Sequence, residues 1–194
     1  MKKAFLLASI LFISVISTAC INNFAVQELN NKAKAFMDKG DYISAIERLK
    51  SSVDLDGSIF ETQYNLAVAY TKAEDYANAV KTYDDAIKLN PDFADSYYSR
   101  AVCKENLAKD IVSGEVVVNA DGSLEKAQEN SDDEETPKVD KKLDDNAKSV
   151  LANLLKSAID DYNLYLEKVP TADDRAEIEA NIKELEEMSE KDAK

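Results

Sequence analysis

Side chains that enzymes use for nucleophilic and acid–base chemistry are scarce in this chain. None of its 194 residues is histidine, which removes Ser–His–Asp and Cys–His nucleophilic pairs, histidine metal sites and the usual neutral-pH proton shuttle. The four glycines fit no P-loop or dinucleotide-binding fingerprint. The 38 Asp and Glu residues are expected on the solvent faces of amphipathic helices. The sequence therefore predicts a protein that is not an enzyme and has no catalytic site, metal site or cofactor.

One loop could attract calcium. Residues 119–122 (Asn-Ala-Asp-Gly) resemble the middle of an EF-hand loop with its central glycine. That frame puts Val117 at the first ligand position and Gln128 at the last, and neither supplies the carboxylate that calcium requires there. We therefore reject calcium binding, and we interpret the acidic run at 131–135 as a solvated charge run.

The residue predicted to be modified chemically is Cys20. Lys2 and Lys3 precede an apolar run at 4–16, and small residues follow at 17–19, which is the layout of a secretory signal peptide. The apolar run is shorter than the roughly 20 residues of a membrane-spanning helix. We therefore predict that residues 1–19 are a signal peptide and are removed.

Two processing routes fit these residues. Ser17-Thr18-Ala19 suits an ordinary signal peptidase, whereas the same residues with Cys20 also resemble the lipobox of bacterial lipoproteins, although Ser17 stands where that family usually has an aliphatic residue. We favour the lipobox because one of only two cysteines lies immediately after the small residues. The resemblance implies a covalent lipid (palmitate) on Cys20, a lipidated linker at 20–25, and anchoring to a bacterial membrane facing the periplasm or exterior. Ile21 favours the outer membrane where the cell has one.

The negative net charge of the chain opposes binding to a membrane surface, so the lipid is the sole predicted membrane tether. Without Lys2 and Lys3, the chain has 22 basic against 38 acidic residues, a net charge of −16 that anionic lipid and nucleic acid would repel. Nucleic acid is therefore excluded as a partner. With Cys20 lipidated, no intramolecular disulfide is expected, and Cys103 is predicted to be a small buried hydrophobe.

A period of 34 residues organises the middle of the chain. Residues 40–45 (Gly-Asp-Tyr-Ile-Ser-Ala) align with residues 74–79 (Glu-Asp-Tyr-Ala-Asn-Ala). Apolar residues of the copy at 60–93 recur at i, i+3, i+4 and i+7, which predicts two amphipathic helices, and Asp75 is predicted to cap the second. This copy resembles the tetratricopeptide repeat (TPR) family at Leu66, Ala67, Tyr70, Asp75, Tyr76, Ala79, Tyr83, Ala86, Leu89 and Pro91.

Two further copies flank this one. The first occupies 26–59, and the third opens at 94, where residues 97–101 (Tyr-Tyr-Ser-Arg-Ala) resemble a common family opening. The third copy is predicted to comprise 94–109 and 154–170, interrupted by an acidic insertion at 110–145. Within the insertion, Val116-Val117-Val118 and the turn signal at 119–122 predict a short hairpin. An apolar stripe from about 145 leads back into the repeat.

The last segment is predicted to be a capping helix at 172–190. Thr171 and Asp174 form a capping-box pattern before it, and its apolar stripe comprises Ile178, Ile182, Leu185 and Met188. The resemblance as a whole implies an all-α TPR superhelix at 26–191, with three helix-turn-helix repeats, a C-terminal capping helix and a long acidic insertion in the third repeat.

In the TPR family, partners bind the concave face formed by the first helix of each repeat. By position, the resemblance places there Asn30, Lys34, Tyr64, Asn65, Val68, Thr71, Tyr98, Val102 and Glu105. Such a surface suits an extended or helical peptide, although ordinary helix surface or cover for the insertion is an equal alternative. A carboxylate clamp is rejected, because the basic positions of its third copy are Asp95 and Ser99 here.

Two functional hypotheses follow. The first is a membrane-tethered protein–protein interaction adaptor that binds other envelope proteins through the concave TPR face. The second is an extracytoplasmic binder of cationic peptides or small solutes, suggested by the acidic insertion.

Overall fold

The computed structural model describes residues 23–127 and 143–192 and is mainly helical there. Its seven helices and two strands in this part of the chain are α1 (23–37), α2 (Tyr42–Leu55), α3 (Phe60–Lys72), α4 (Tyr76–Leu89), α5 (Ala94–Ser113), β1 (Val116–Val118), β2 (Leu124–Lys126), α6 (Asp145–Lys168) and α7 (Arg175–Asp192). The all-α prediction is thus confirmed. The predicted signal peptide, the predicted lipidation site Cys20 and the acidic run at 131–135 lie outside the described residues. The chain divides into an N-terminal unit that ends at Ala73 and a C-terminal unit that begins at Glu74.

The N-terminal unit packs α1, α2 and α3 around small and apolar side chains. Asp41 caps α2, since its carboxylate accepts a hydrogen bond from the Ser44 amide at 3.1 Å. Gly40, with φ of +75°, makes the turn before that cap in a conformation that glycine adopts without strain. The buried core consists of Ala33, Ala45, Leu49, Leu66 and Ala69.

The C-terminal unit contains α4 to α7 and the β1–β2 hairpin. Asp75 caps α4, as predicted, by accepting a hydrogen bond from the Asn78 amide at 3.3 Å. The largest core cluster joins α5, α6 and α7 through Ala101, Ala108, Leu151, Leu155, Ala158, Tyr162, Leu166, Ile178 and Leu185. Cys103 is fully buried, which confirms that prediction.

Fully buried alanines recur at the predicted spacing in the three copies. Ala33, Ala67 and Ala101 hold one position of the first helix, and each is 0% exposed. The central alanines of the second helix, Ala45, Ala79 and Ala158, are also 0% exposed. Small residues at these positions allow neighbouring helices to approach closely.

The helix α5 is longer than predicted. It continues past the predicted end at 109 to Ser113, so residues 110–113 belong to the helix and not to the insertion. The reason is apolar packing, since Leu107 and Ile111 continue the buried stripe and contact Val116 of the hairpin. Gly114, with φ of +83°, then ends the helix in the left-handed conformation.

The predicted hairpin is confirmed. The strands β1 and β2 pair antiparallel, with Val117 opposite Glu125. The carboxylate of Asp121 accepts a hydrogen bond from the Ser123 amide at 2.9 Å, and Asn146 of α6 donates one to the Asn119 carbonyl at 2.7 Å. Asp121 therefore stabilises its own turn, and the hairpin is fixed to the start of α6.

The capping helix begins later than predicted. The helix α7 starts at Arg175 rather than at 172, so Thr171 lies in the preceding turn and is not its N-cap. Arg175 makes this turn compact, because its guanidinium donates hydrogen bonds to the carbonyls of Leu166 at 3.1 Å and Pro170 at 3.3 Å. The predicted apolar stripe does pack against α6, with Ile178 and Leu185 fully buried. Within the described residues, no helix is long and apolar enough to span a membrane.

A buried ionic network joins α5 to α6. Asp161 is 4% exposed and Lys104 is 6% exposed. Two guanidinium nitrogens of Arg100 donate hydrogen bonds to the Asp161 carboxylate at 2.8 and 2.5 Å, and the third binds Asp84 of α4 at 2.5 Å. The Lys104 ammonium binds Asp161 at 2.7 Å and the Ser157 hydroxyl at 2.5 Å. One buried carboxylate, Asp161, is therefore shared by two cations, of which Arg100 also binds the partly exposed Asp84.

We predict that Asp161→Ala lowers the free energy of unfolding by about 3–5 kcal/mol, because two cations lose their buried counter-charge. Urea unfolding followed by far-ultraviolet circular dichroism measures this. The control is Asp160→Ala, which removes the same charge from an exposed neighbouring position and should change stability by about 0.5 kcal/mol or less. Equal losses in the two variants would contradict the assigned role of Asp161.

Candidate functional site

The predicted groove residues divide between the two units. The N-terminal unit holds those from the first two copies, Asn30, Lys34, Tyr64, Asn65, Val68 and Thr71, and the C-terminal unit holds Tyr98, Val102 and Glu105. Their surroundings differ. In the first group, Asn30 lines a sizeable cleft.

An open cleft of about 510 Å³ lies at the start of the N-terminal unit. We call it the amide cleft, because four of its seven lining side chains are carboxamides and none is charged. It is lined by Asn23, Phe24, Val26, Gln27, Asn30, Asn31 and Ile59. The amides lie on one side of α1 because they recur at intervals of three, four and seven residues. The side chains of Asn23, Gln27 and Asn31 are exposed.

A contact between α1 and α3 fixes one of these amides. Asn30 donates a hydrogen bond to the hydroxyl of Thr62 at 2.8 Å, and Thr62 is fully buried. The Asn30 carbonyl oxygen is also buried and has no hydrogen-bond partner within the described part of the chain. An unpaired buried acceptor costs about 1–3 kcal/mol, so this oxygen is a local weakness in the contact between α1 and α3.

The chemistry of the amide cleft suits a peptide main chain. A carboxamide both donates and accepts hydrogen bonds, as a peptide group does. Phe24 is 68% exposed and offers an aromatic surface for an apolar side chain. Because the lining residues are neutral, charge contributes little to recognition at this place.

The remaining predicted residues of this unit have smaller roles. Lys34 and Asn65 are exposed, whereas Tyr64 and Val68 are half-buried. The ring of Tyr64 stacks on Phe60 at a centroid distance of 5.8 Å. The half-buried Thr71 donates its hydroxyl to the Ala67 carbonyl within α3 at 2.9 Å. The geometry therefore brings Asn30 into the cleft and leaves these five residues outside its lining.

Sequence reasoning missed the other six lining positions. These are Asn23, Phe24, Val26, Gln27, Asn31 and Ile59. The signal was available, since polar amides at helical spacing beside an apolar stripe indicate an exposed hydrogen-bonding face. The two outermost positions precede the predicted start of the first copy at 26, so the family pattern gave no reason to include them.

In the C-terminal unit, the predicted groove residues pack within the protein. Tyr98 lies between Tyr162 and Tyr165, with ring centroids 5.9 and 5.2 Å away. Val102 packs against the core cluster that includes α7. These side chains therefore contact α6 and the core cluster that includes α7, and their place in a binding groove stays a prediction.

Glu105 is also engaged within the unit. Its carboxylate accepts hydrogen bonds from the Tyr162 hydroxyl and the Lys109 ammonium, both at 2.7 Å. Lys109 also lies 3.6 Å from Glu184 of α7. Burial and the neighbouring Glu105 carboxylate raise the pKa of Tyr162 well above its ordinary value.

Comparison with known proteins identifies the repeat. Residues 60–93 match the family model described as the tetratricopeptide repeat. A BBSome complex member BBS4 homolog of Drosophila melanogaster is 36% identical over 78 residues, a match that covers 40% of this chain and only 16% of that relative.

Solved TPR domains share the fold. The first TPR of Spaghetti (RPAP3), bound to an HSP90 peptide, is similar with a TM-score of 0.54 and 18% identity, covering 84% of this chain and 91% of that one. An Arabidopsis OM64 TPR domain gives a TM-score of 0.55 at 14% identity, covering 84% and 96%. At these identities the likeness concerns the fold alone.

We predict that the C-terminal unit loses stability above a pH of about 10 through Tyr162. Its folded pKa is raised, so the unfolded chain releases the phenolic proton first and becomes favoured as pH rises. Between pH of about 8 and 11, Tyr162→Phe should show a smaller fall in the free energy of unfolding than the parent chain. The control is Tyr42→Phe in α2, and an equal fall in the parent and Tyr162→Phe would contradict the prediction.

Proposed function

We propose that this chain, which has the fold of a tetratricopeptide-repeat domain, is a membrane-tethered adaptor in the envelope of a bacterial cell. The fold itself is a protein-interaction scaffold. To this fold the proposal adds a membrane location, through lipid on Cys20, and a peptide-binding site, which is the amide cleft. Its partners would be other envelope proteins that present a peptide segment.

The observation that carries the binding proposal is the neutral, amide-lined cleft beside α1. Its carboxamides can pair with the N–H and C=O groups of an extended segment, and the exposed Phe24 can receive an apolar side chain. The peptide in the Spaghetti complex supports the idea that this kind of fold takes a peptide. A clamp for a C-terminal carboxylate remains rejected here, because Asp95 and Ser99 stand at its basic positions.

The charge distribution supports a second candidate, binding of cationic peptides or small solutes. Residues 74–194 contain 16 basic against 31 acidic residues, whereas residues 1–73 contain 8 against 7. Nearly all of the negative charge thus belongs to the second part of the chain. A cationic ligand would be attracted there, and its binding would weaken as salt screens the field.

We predict that peptides selected on the chain from a displayed random library bind through the amide cleft. Gln27→Ala combined with Asn31→Ala should weaken them about fivefold or more, because two exposed amides lose their hydrogen bonds at roughly 0.5–1.5 kcal/mol each. Fluorescence anisotropy with a labelled selected peptide measures this. The control pair, Lys50→Ala and Lys72→Ala, changes two exposed residues of the same unit.

Salt separates the two candidate functions in the same assay. Binding in the amide cleft should persist at about 1 M salt, where the Debye length is about 3 Å. Selected peptides that are cationic, lose affinity in salt and ignore the double alanine variant would favour the second candidate and overturn the first.

We predict that Cys20→Ser moves the chain from the membrane fraction to the soluble fraction of the cell. Two or more acyl chains hold a protein at a membrane because each buried methylene contributes about 0.8 kcal/mol, and the chain after residue 19 is too acidic for anionic lipid to retain it. Fractionation and immunoblotting measure the change, and metabolic labelling with a fatty-acid analogue tests the modification. A Cys103→Ser variant should stay at the membrane. Membrane retention of Cys20→Ser would remove the tether from the proposal and leave peptide binding standing.

A further inference from the structure

A second cleft, of about 420 Å³, lies between α1 and α2 of the N-terminal unit. We call it the cationic face. Its lining residues are Lys32, Ala35, Phe36, Lys39 and Arg48. None of them lines the amide cleft, and at 100° per residue Lys32 lies about 160° around α1 from Asn30, whereas Lys39 belongs to the turn that follows the helix. The cationic face is therefore a separate surface on the other side of this helix.

Three cations surround an aromatic ring at this face. Phe36 is half-buried and packs on the core of the unit. Lys32 pairs with Glu28 of its own helix at 2.6 Å, and Arg48 lies 4.0 Å from its neighbour Glu47. These side chains are all between 44% and 66% exposed, so both pairings are weak and exchangeable. No carboxylate belongs to the lining, in a chain whose net charge is −14.

The repeat register shows what occupies the corresponding face of other copies. Adding 34 to Lys32 and Phe36 gives Leu66 and Tyr70 of α3, and in the N-terminal unit this face packs against Leu49 of α2. Adding 34 again gives Arg100 and Lys104 of α5, which lies against α4 in the C-terminal unit. At the position of Lys32, the first helix therefore faces the second helix of the preceding copy in both units, whereas Lys104, at the position of Phe36, binds Asp161 of α6.

The contact between α4 and α5 in the C-terminal unit shows which charged groups pair at this face. Arg100 stands at the position of Lys32, and it binds a carboxylate, Asp84, supplied by the incoming helix α4. The described residues contain no helix before α1. Residues 1–22 carry Lys2 and Lys3 and no acidic residue, so their charge does not complement the face.

We propose that the cationic face binds an amphipathic acidic helix of a partner protein, which stacks on α1 and α2 as α4 stacks on α5. An apolar side chain of that helix covers Phe36, and its carboxylates pair with Lys39 and Arg48. This site is independent of the amide cleft, so the chain could hold two partner segments at once.

The test uses a dye-labelled helical peptide with a leucine stripe flanked by glutamates, and the full chain as the titrant in fluorescence anisotropy. Lys39→Gln combined with Arg48→Gln should weaken binding about tenfold or more, since rim charge pairs are lost. The matched control, Lys50→Gln with Lys72→Gln, removes the same charge from exposed positions of the same unit and should change affinity less than about twofold. Circular dichroism verifies that both variants retain their helices.

Two altered peptides separate charge from apolar contact. A peptide with glutamine in place of glutamate should bind more weakly because it lacks the carboxylates that pair with Lys39 and Arg48. A peptide with alanine in place of leucine should bind more weakly because it lacks the apolar side chain that covers Phe36.

Equal weakening by both variant pairs would show that net charge alone attracts the peptide and would overturn the proposal. Vesicles of phosphatidylglycerol that bind through Lys39 and Arg48 while the peptide does not would assign the face to lipid headgroups, and concentration-dependent dimers lost in the same variant would assign it to a second copy. Either result would also overturn the proposal.

Discussion

The contact on which the C-terminal unit most depends is the buried pair of Arg100 and Asp161. These residues are 61 apart in sequence, and the acidic insertion lies between them. Hydrophobic packing alone tolerates sliding of one helix against another, whereas a bidentate guanidinium–carboxylate pair fits one register only. With Lys104 on the same carboxylate and Asp84 on the same guanidinium, the network aligns three helices at a single point.

Each unit is built by close approach of helices at alanines. The fully buried alanines recur at the same positions of the three copies, and the larger side chains Leu49, Tyr83 and Tyr162 fill the equivalent space on the second helices. The conserved geometry of the repeat leaves the remaining helix faces free to differ. One side of α1 carries neutral amides and the other carries cations, so a single helix presents two different chemistries.

Much of this arrangement follows from the sequence. The 34-residue period, the cap Asp75, the hairpin and the stripe of the last helix are local patterns with local causes, and each is present in the structure. The end of α5 was not predictable from the repeat, because Ile111 is held by a strand that lies outside the family pattern. The start of α7 depends on Arg175 reaching back to two carbonyls, which is a tertiary contact.

The candidate site was predicted less completely than the fold. Position in the repeat identified Asn30 but could not reveal that Tyr98 and Glu105 pack beneath α6 and α7, since that depends on residues more than fifty positions later. The ionic network was equally hidden. In the sequence, Arg100 is part of the residues that resemble the start of a TPR copy, and Asp161 is one of many acidic residues, so neither indicates a buried ion pair.

The hairpin and the start of α6 fix the chain at the two borders of residues 128–142. The Ala127 amide donates a hydrogen bond to the Glu115 carbonyl at 2.8 Å, and Asn146 holds the hairpin turn to α6. The described chain therefore ends beside β2 at Ala127, and from residue 143 it leads to Asp144, which caps α6. Both borders of 128–142 are thus fixed by hydrogen bonds of the C-terminal unit, and loss of either one would free a strand end or a helix start rather than a core contact.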